Sequence, residues 1–281
     1  MCSFVLRIIS VCLSLTIFFT AGPAWAAENL FIQRIQERGV LTVGLPAYNT
    51  PPAYYLNETS GDLEGYDIDI ARGLAKELKV DIQFDRSSPD LNELVRRVGA
   101  GDFDLAIGKL GRTYDRMFDA FPVHYLDFRH ALMANRSFIS TLSEEPGSPE
   151  FAAVLEASTI RIGSIEKTIW EAETRDNFPN ATFQGFPDWL AAQQALFDGE
   201  VDAIYRDMTE IKRLVYASPD LIIDYVPILF DDIVDQKSIY LSLDGSINFS
   251  PFIEFYISKE WGEVKTDSTI LEEYMSFYSA T

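Results

Sequence analysis

The sequence predicts an α/β protein of two lobes, each a mostly parallel sheet flanked by helices, with two crossing strands that join the lobes. Apolar residues recur in turn at helical spacing and at every second position, so helices and strands alternate along the chain. Residues 101–107 and 199–205 have the same order of residue types. In both, a glycine is followed by an acidic residue, an apolar residue, an aspartate and then an apolar segment that predicts a buried strand. Chance likeness of two helix-to-strand turns is the alternative explanation. Residues 126–136 and 226–240 are extended and partly apolar, as crossing strands would be.

The predicted elements follow one another without long gaps. In the first half they are helices at 30–38 (capped by Gly39), 66–78 and 91–98 and strands at 40–44, 80–84 and 105–107. In the second half they are strands at 160–163, 181–183 and 201–205 and helices at 167–176, 188–197, 208–215, 251–259 and 269–277. Because two crossings return the chain to the lobe where it began, lobe 1 comprises residues 27–126 and 230–281, and lobe 2 comprises residues 127–229.

The first 26 residues have the pattern of a secretory signal peptide. Arg7 precedes an apolar run over residues 8–19, and Ala24 and Ala26 follow in the A-x-A spacing of a cleavage site. We expect cleavage after Ala26 and a mature protein that is periplasmic or secreted. Both cysteines of the chain fall within the removed segment, so the mature protein has neither a disulfide nor a cysteine metal site.

The charge balance argues against a nucleic-acid-binding protein. With 43 acidic and 23 basic residues the net charge is −20, whereas binding to phosphates depends on Lys and Arg. A local basic pocket is compatible with this balance. The two histidines, His124 and His130, are six positions apart and have no cysteine partner, so we expect no metal site and no cofactor. We expect a monomer.

Residues 65–78 carry the most specific motif of the chain. Their order is glycine, aromatic, acid, aliphatic, acid and aliphatic (Gly-Tyr-Asp-Ile-Asp-Ile), followed by spaced small apolar residues. This motif resembles the family-3 bacterial extracellular solute-binding proteins, and the resemblance extends over the mature chain. It implies the type II periplasmic-binding-protein fold, with the ligand in a cleft between two lobes. Asp67 and Asp69 begin a helix, where acids cap backbone N–H groups, and we favour that role over ligand contact.

Residues 108–116 are similar to a ligand-binding loop of that family. Arg116 falls on the position of the arginine that clasps the ligand α-carboxylate, for which a guanidinium offers two parallel hydrogen bonds. A salt bridge at the surface or between the lobes is the alternative role. Gly111 stands where the family has a hydroxyl residue and offers only its N–H group, while Lys109 adds a positive charge. Together with Arg112, these cations suggest extra negative charge on the ligand.

The resemblance implies lobe 2 contacts at Asp207 and Thr168. Asp207 corresponds to an aspartate that binds the ligand α-ammonium, and capping of the helix at 208–215 is the alternative. Thr168 opens a helix, where a carboxylate oxygen can dock. Tyr48 and Tyr54 lie in the loop after the first strand, where the family has an aromatic residue that covers the ligand, with core packing as the alternative.

The function implied is that of a receptor that closes on a small polar ligand, an amino acid or related carboxylate, and delivers it to the membrane permease of an ABC importer. Two alternatives stay open. One is a secreted dehydratase of the cyclohexadienyl or arogenate type, in which Glu166 or Lys167 supplies the acid that eliminates water. The other is a sensor that presents its ligand to a receptor. No constellation of nucleophile, base and orienting group is visible in the sequence, so we expect a binding protein and not an enzyme.

Overall fold

The computed structural model of the protein describes residues 30–261, 265–266 and 270. The predicted signal peptide with its cleavage site, residues 1–26, lies outside these ranges. So does the predicted helix at 269–277, apart from residue 270. Within the described residues, no helix is long and apolar enough to cross a bilayer.

The described helices and strands include each of the remaining predicted elements. The helices are α1 Leu30–Arg38, α2 Tyr66–Leu78, α3 Leu91–Gly99, α4 Tyr114–Asp119, α5 Arg136–Ile139, α6 Phe151–Ala157, α7 Ile169–Asn177, α8 Trp189–Phe197, α9 Met208–Ala217, α10 Leu221–Asp224 and α11 Leu243–Glu260. The strands are β1 Val40–Pro46, β2 Tyr55–Leu56, β3 Leu63–Glu64, β4 Asp81–Ser88, β5 Leu105–Ala106, β6 Phe121–Asn135, β7 Arg161–Ile165, β8 Thr182–Phe186, β9 Ala203–Asp207, β10 Tyr225–Leu241 and β11 Lys265–Thr266. The boundaries of the predicted elements differ from these by a few residues, and residues 251–259 belong to the longer α11.

Two long antiparallel strands, β6 and β10, form the centre of the sheet and confirm the two predicted crossing strands. The parallel strands β4, β1 and β5 join this pair through β5, and the parallel strands β8, β7 and β9 join it through β9. The sequence predicts one sheet for each lobe, but the hydrogen bonds form one continuous sheet, because each long strand extends into both halves. The α/β class is confirmed.

The apolar core is divided between the two halves of the sheet. Two clusters of buried side chains draw their members from residues 35–128 and 239–270. Two others draw theirs from residues 131–230. Burial of apolar surface therefore stabilises each half separately, while the β6–β10 ladder connects them.

The repeated segments are structurally equivalent. Gly101 and Gly199 both have a left-handed backbone, with φ of 87° and 74°, which explains a glycine at this turn. Asp104 accepts a hydrogen bond from the N–H of Thr42 at 2.7 Å, and Asp202 accepts one from the N–H of Arg161 at 2.9 Å. Each aspartate thus fastens its segment to the beginning of the neighbouring parallel strand, β1 or β7.

Asp67 of the motif at 65–78 has a role that the sequence does not predict. Its Oδ2 accepts from the N–H of Lys109 at 3.1 Å and its Oδ1 from the hydroxyl of Tyr125 at 2.7 Å. The predicted capping role is wrong, because the carbonyls of Pro52 and Ala53 accept from the first N–H groups of α2. Burial raises the pKa of Asp67 to about 7, against the opposing effect of its two hydrogen bonds.

The glycine that opens this motif is required by close packing. Gly65 has φ of 119°, and a Cβ atom there would lie 2.3 Å from the carbonyl oxygen of Ala53. The chain can therefore bring that carbonyl against the start of α2 only where a side chain is absent.

We expect Asp104→Ala to lower the free energy of unfolding by about 2 kcal/mol or more, because the N–H and the hydroxyl of Thr42 both lose the buried carboxylate that accepts from them. Asp102→Ala is the control, since Asp102 is exposed and its ion pair with Arg97 should contribute at most about 1 kcal/mol. Urea unfolding of both variants measures the difference. Equal losses would contradict the structural role given to Asp104.

Asp67→Asn should change the pH dependence of stability. The folded pKa of about 7 exceeds the ordinary value of 3.8, so folding takes up a proton between these values and stability falls as pH rises. Relative to Asp67→Asn, the unsubstituted protein should lose roughly 1 kcal/mol of unfolding free energy per pH unit across this interval. Urea unfolding at several pH values measures it. Parallel curves of stability against pH for the unsubstituted protein and Asp67→Asn would exclude a raised pKa at Asp67.

Candidate functional site

A cavity of ≈ 370 Å³, called the central cavity here, lies where the ends of β5 and β9 point towards each other. β5 ends opposite Tyr240 of β10, which pairs with Pro122, whereas β9 ends opposite His130 further along β6. Because β5 runs with β6 and β9 runs against it, both carboxyl ends are directed at the stretch between Pro122 and His130. Ligands of open α/β sheets bind at the carboxyl ends of strands, and cavities of this size suit small molecules.

Six of the seven predicted ligand residues line the central cavity, namely Tyr48, Tyr54, Lys109, Gly111, Arg116 and Asp207. Thr168 does not line it. Its hydroxyl accepts from the N–H of Trp170 at 3.2 Å as the cap of α7 and donates to the carbonyl of Ile165 at 2.7 Å. Ile169 and Trp170, the next two residues, line the cavity in its place.

Arg116 is held by polar atoms that leave its charge unpaired. Its Nη1 donates to the carbonyl of Gly111 at 2.9 Å and its Nε to Oδ1 of Asn92 at 3.0 Å. No carboxylate of the described residues lies within 4 Å of the guanidinium, so the alternative role as a salt bridge is not observed. Burial lowers the pKa of Arg116, yet a guanidinium stays protonated under all ordinary conditions. The arrangement fixes a cation and leaves some of its donors for a ligand.

Gly111 supports Arg116 through its main chain. Its carbonyl also accepts from the hydroxyl of Tyr240 at 3.0 Å, and the residue forms an isolated bridge with Lys237 of β10. A Cβ atom at Gly111 would lie 3.3 Å from Oδ1 of Asp235, so the hydroxyl side chain usual in the family would crowd this carboxylate.

Asp207 caps α9, as its alternative role predicts, and also lines the central cavity. Its Oδ1 accepts from the N–H of Glu210 at 3.2 Å and caps α9. Its Oδ2 faces the cavity, 3.8 Å from Nζ of Lys109 and 3.7 Å from Nε of Arg206. Burial alone would raise the pKa of Asp207, but the charges of Lys109, Arg206 and Lys237 together lower it below its ordinary value. The carboxylate is therefore ionised at neutral pH.

Lys109 occupies the position in the first repeat that Asp207 occupies in the second. Each stands eight residues after the glycine, Gly101 or Gly199, that starts its segment. Lys109 has a left-handed backbone with φ of 54°, held by Asp67, and its ammonium lies 4.5 Å from the ring centre of Phe128. Equivalent points of the two repeats thus present opposite charges to each other.

The two tyrosines differ in exposure. Tyr48 is 50% exposed and Tyr54 is buried in the apolar core, with their ring centres 6.1 Å apart. The hydroxyl of Tyr54 accepts from Thr50 at 3.0 Å. Tyr54 therefore satisfies its alternative role in core packing while also forming a cavity wall, and Tyr48 is the ring that remains accessible.

The lining residues that sequence reasoning missed include Trp170, Arg206 and Lys237. Lys237 is buried in β10 and forms an ion pair with Asp235. A lysine within a predicted crossing strand and an arginine directly before Asp207 were the available signals. Arg112, by contrast, does not line the cavity, because its exposed side chain extends to Oε1 of Gln236 at 3.4 Å.

The chain offers no group of three His, Asp or Glu side chains suited to a metal ion within residues 30–261. His130 is buried, and its Nδ1 is hydrogen-bonded to the hydroxyl of Tyr205. The charged and aromatic side chains that line the cavity can bind and orient a small polar molecule.

Comparisons with known proteins agree with this architecture. The sequence profile of the bacterial extracellular solute-binding proteins, family 3, matches residues 41–157. A glutamine-binding protein of Geobacillus stearothermophilus is 28% identical over 191 residues, which cover 64% of this chain and 71% of that protein. The L-cystine-binding protein TcyA of Bacillus subtilis (strain 168) is 23% identical over 249 residues, 89% of this chain and 82% of that protein.

The fold also matches solved structures. An ancestral amino-acid-binding protein, described as a precursor of cyclohexadienyl dehydratase, has a TM-score of 0.60 at 18% sequence identity, over 86% of this chain and 98% of that chain. This likeness shows the type II periplasmic-binding-protein fold, and the profile and the two relatives support the family predicted from residues 65–78. The chain is similar to the bacterial extracellular solute-binding proteins of family 3, whose profile it matches over residues 41–157.

Proposed function

We propose that the protein captures an amino acid or related small carboxylate in the central cavity and delivers it to the permease of an ABC importer. The observation that carries this proposal is Arg116, a half-buried guanidinium in the cavity wall without an acidic partner among the described residues. A desolvated cation of this kind is stabilised by a bidentate carboxylate. Asp207, on the opposite side, supplies the negative charge that an α-ammonium would meet.

Closure of two lobes about the β6–β10 ladder would complete the site. The predicted lobes are residues 27–126 with 230–281, and residues 127–229. The apolar clusters support crossings a few residues later, between Phe128 and Ala131 and between Phe230 and Ile239. The pairing of β6 with β10 is irregular between Phe230 and Val234, so fewer regular hydrogen bonds resist bending there. A ligand held by Arg116 and Asp207 would favour the closed state by contacting both lobes.

The likeness to the family supports export of the protein and a membrane permease as its partner. Its members are extracellular, and the signal-peptide pattern of residues 1–26 supports cleavage after Ala26 and a periplasmic or secreted mature protein. A binding protein of an importer needs a membrane permease as its partner, and we expect the mature protein to act as a monomer.

The acids predicted for the dehydratase alternative lie outside the central cavity. Glu166 and Lys167, the predicted candidates, do not line the central cavity, and their side chains pair with each other at 3.3 Å. A general acid must reach the leaving oxygen directly or through one water. We therefore propose binding without catalysis.

Incubation of the protein with prephenate or arogenate should give no aromatic product, as measured by ultraviolet absorbance. The physical reason is that neither Glu166 nor Lys167 lines the central cavity. Turnover that disappears in Arg116→Ala would instead show catalysis in the central cavity and would overturn the non-enzymatic proposal.

Arg116→Ala should abolish ligand binding and leave the fold intact, since the side chain contributes no ion pair to the described structure. Loss of a desolvated charged partner costs roughly 2–5 kcal/mol of binding free energy. A thermal-shift screen of amino acids and small carboxylates finds the ligand, and calorimetry then compares the variants. Arg112→Ala is the matched control, because it removes a guanidinium from the same loop but outside the cavity. Unchanged affinity in Arg116→Ala would show that the carboxylate clamp is misassigned.

A further inference from the structure

We propose that the ligand carries two acidic groups and that Arg206 binds the second of them. This inference rests on the proposed function, in which Arg116 binds the first. It narrows the ligand to acidic amino acids and dicarboxylic acids, as distinct from neutral or basic amino acids.

Positively charged side chains outnumber negatively charged ones around the central cavity. Lys109, Arg116, Arg206 and Lys237 line it, in a chain whose net charge is −20. Lys237 is neutralised by Asp235, and the acidic side chains among the lining residues are Asp207 and the exposed Asp115. Asp207 is the buried carboxylate that Lys109 and Arg206 share, and Arg116 has none. A ligand of net negative charge would balance this excess of cations.

Arg206 is the least satisfied of these cations. Its side chain is 18% exposed, and its guanidinium carbon lies 5.6 Å from the ring centre of Trp170 and 5.2 Å from that of Trp189. Its Nε is buried without a hydrogen-bond partner in the described structure. The two indole rings hold the guanidinium by cation–π attraction, which does not use the N–H donors of the guanidinium in hydrogen bonds. The donors therefore remain for an acceptor that enters the cavity.

Asp207 is not the acceptor for the N–H donors of Arg206. The 3.7 Å between its Oδ2 and Nε of Arg206 exceeds hydrogen-bonding distance, and its Oδ1 is engaged by the N–H of Glu210. A buried guanidinium without acceptors is costly, and a carboxylate is the group that best matches its fork of donors. The geometry explains why an arginine precedes Asp207 when a cavity for neutral amino acids would require only the aspartate.

Matched pairs of probes test the proposal by calorimetry. Glutamate is compared with glutamine and aspartate with asparagine, since each pair differs by one acid, while succinate and glutarate test diacids without an ammonium group. The unsubstituted protein should bind at least one diacid roughly 30-fold or more tightly than any neutral amide. Arg206→Gln should remove that preference and change amide affinity only a few-fold, whereas Arg206→Lys should restore part of it. Asp207→Asn should then weaken binding of an acidic amino acid or strengthen that of a diacid without ammonium.

The outcomes separate the two proposals. Tighter binding of an amide than of every diacid, abolished by Arg116→Ala, would overturn the role of Arg206 and leave the proposed function standing. A uniform loss for all probes in Arg206→Gln would also overturn it, since that result indicates a structural role. Affinities that Arg116→Ala leaves unchanged for every probe, or a panel in which no probe binds, would overturn both proposals. Thermal unfolding of each variant confirms that it is folded.

Discussion

The antiparallel pairing of β6 with β10 is the constraint on which the rest of the structure depends. It fixes where β5 and β9 join the sheet, and because these two strands run in opposite directions, their carboxyl ends converge on one stretch of the ladder. Side chains more than ninety positions apart in sequence, such as Lys109 and Asp207, are brought within 3.8 Å in this way. Each half has its own apolar core, so the ladder joins two units that are separately stabilised.

Electrostatic interactions in the cavity follow from that convergence. Burial weakens the hydration of Lys109, Arg116 and Arg206 together, and the single buried carboxylate among the lining residues cannot compensate all three. Aromatic rings reduce part of this cost, since Phe128 contacts Lys109 and Trp170 contacts Arg206. The proposed ligand, with two acidic groups, would offset the remaining excess of positive charge.

The sequence predicted most of the fold because its signals are local. Periodicity predicts α2, extended and partly apolar stretches predict β6 and β10, and the glycine-aspartate segments mark equivalent turns in both halves. It also predicted six of the seven chosen ligand residues as members of one cavity, through resemblance to a family. Arg206 was missed because the predicted strand ends at residue 205 and the family resemblance implies a role only for Asp207, whereas the side chain of Arg206 lies against Trp170 and lines the cavity. Thr168 does not line the cavity as predicted, because its hydroxyl caps α7 and donates to the carbonyl of Ile165.

Asp67 shows how a local motif acquires a function that no local pattern reveals. The carbonyls of Pro52 and Ala53 bind the first N–H groups of α2, and this frees the carboxyl group to bind the main chain of Lys109, 42 residues later. That bond supports Lys109 in its left-handed conformation, from which the ammonium extends past Phe128 towards Asp207. The motif that identifies the family is thus also the support of one wall of its cavity. Asp67 acts through the loop that contains Lys109. Its substitution would therefore weaken ligand binding by displacing the ammonium of Lys109, since Asp67 itself makes no contact with the proposed ligand.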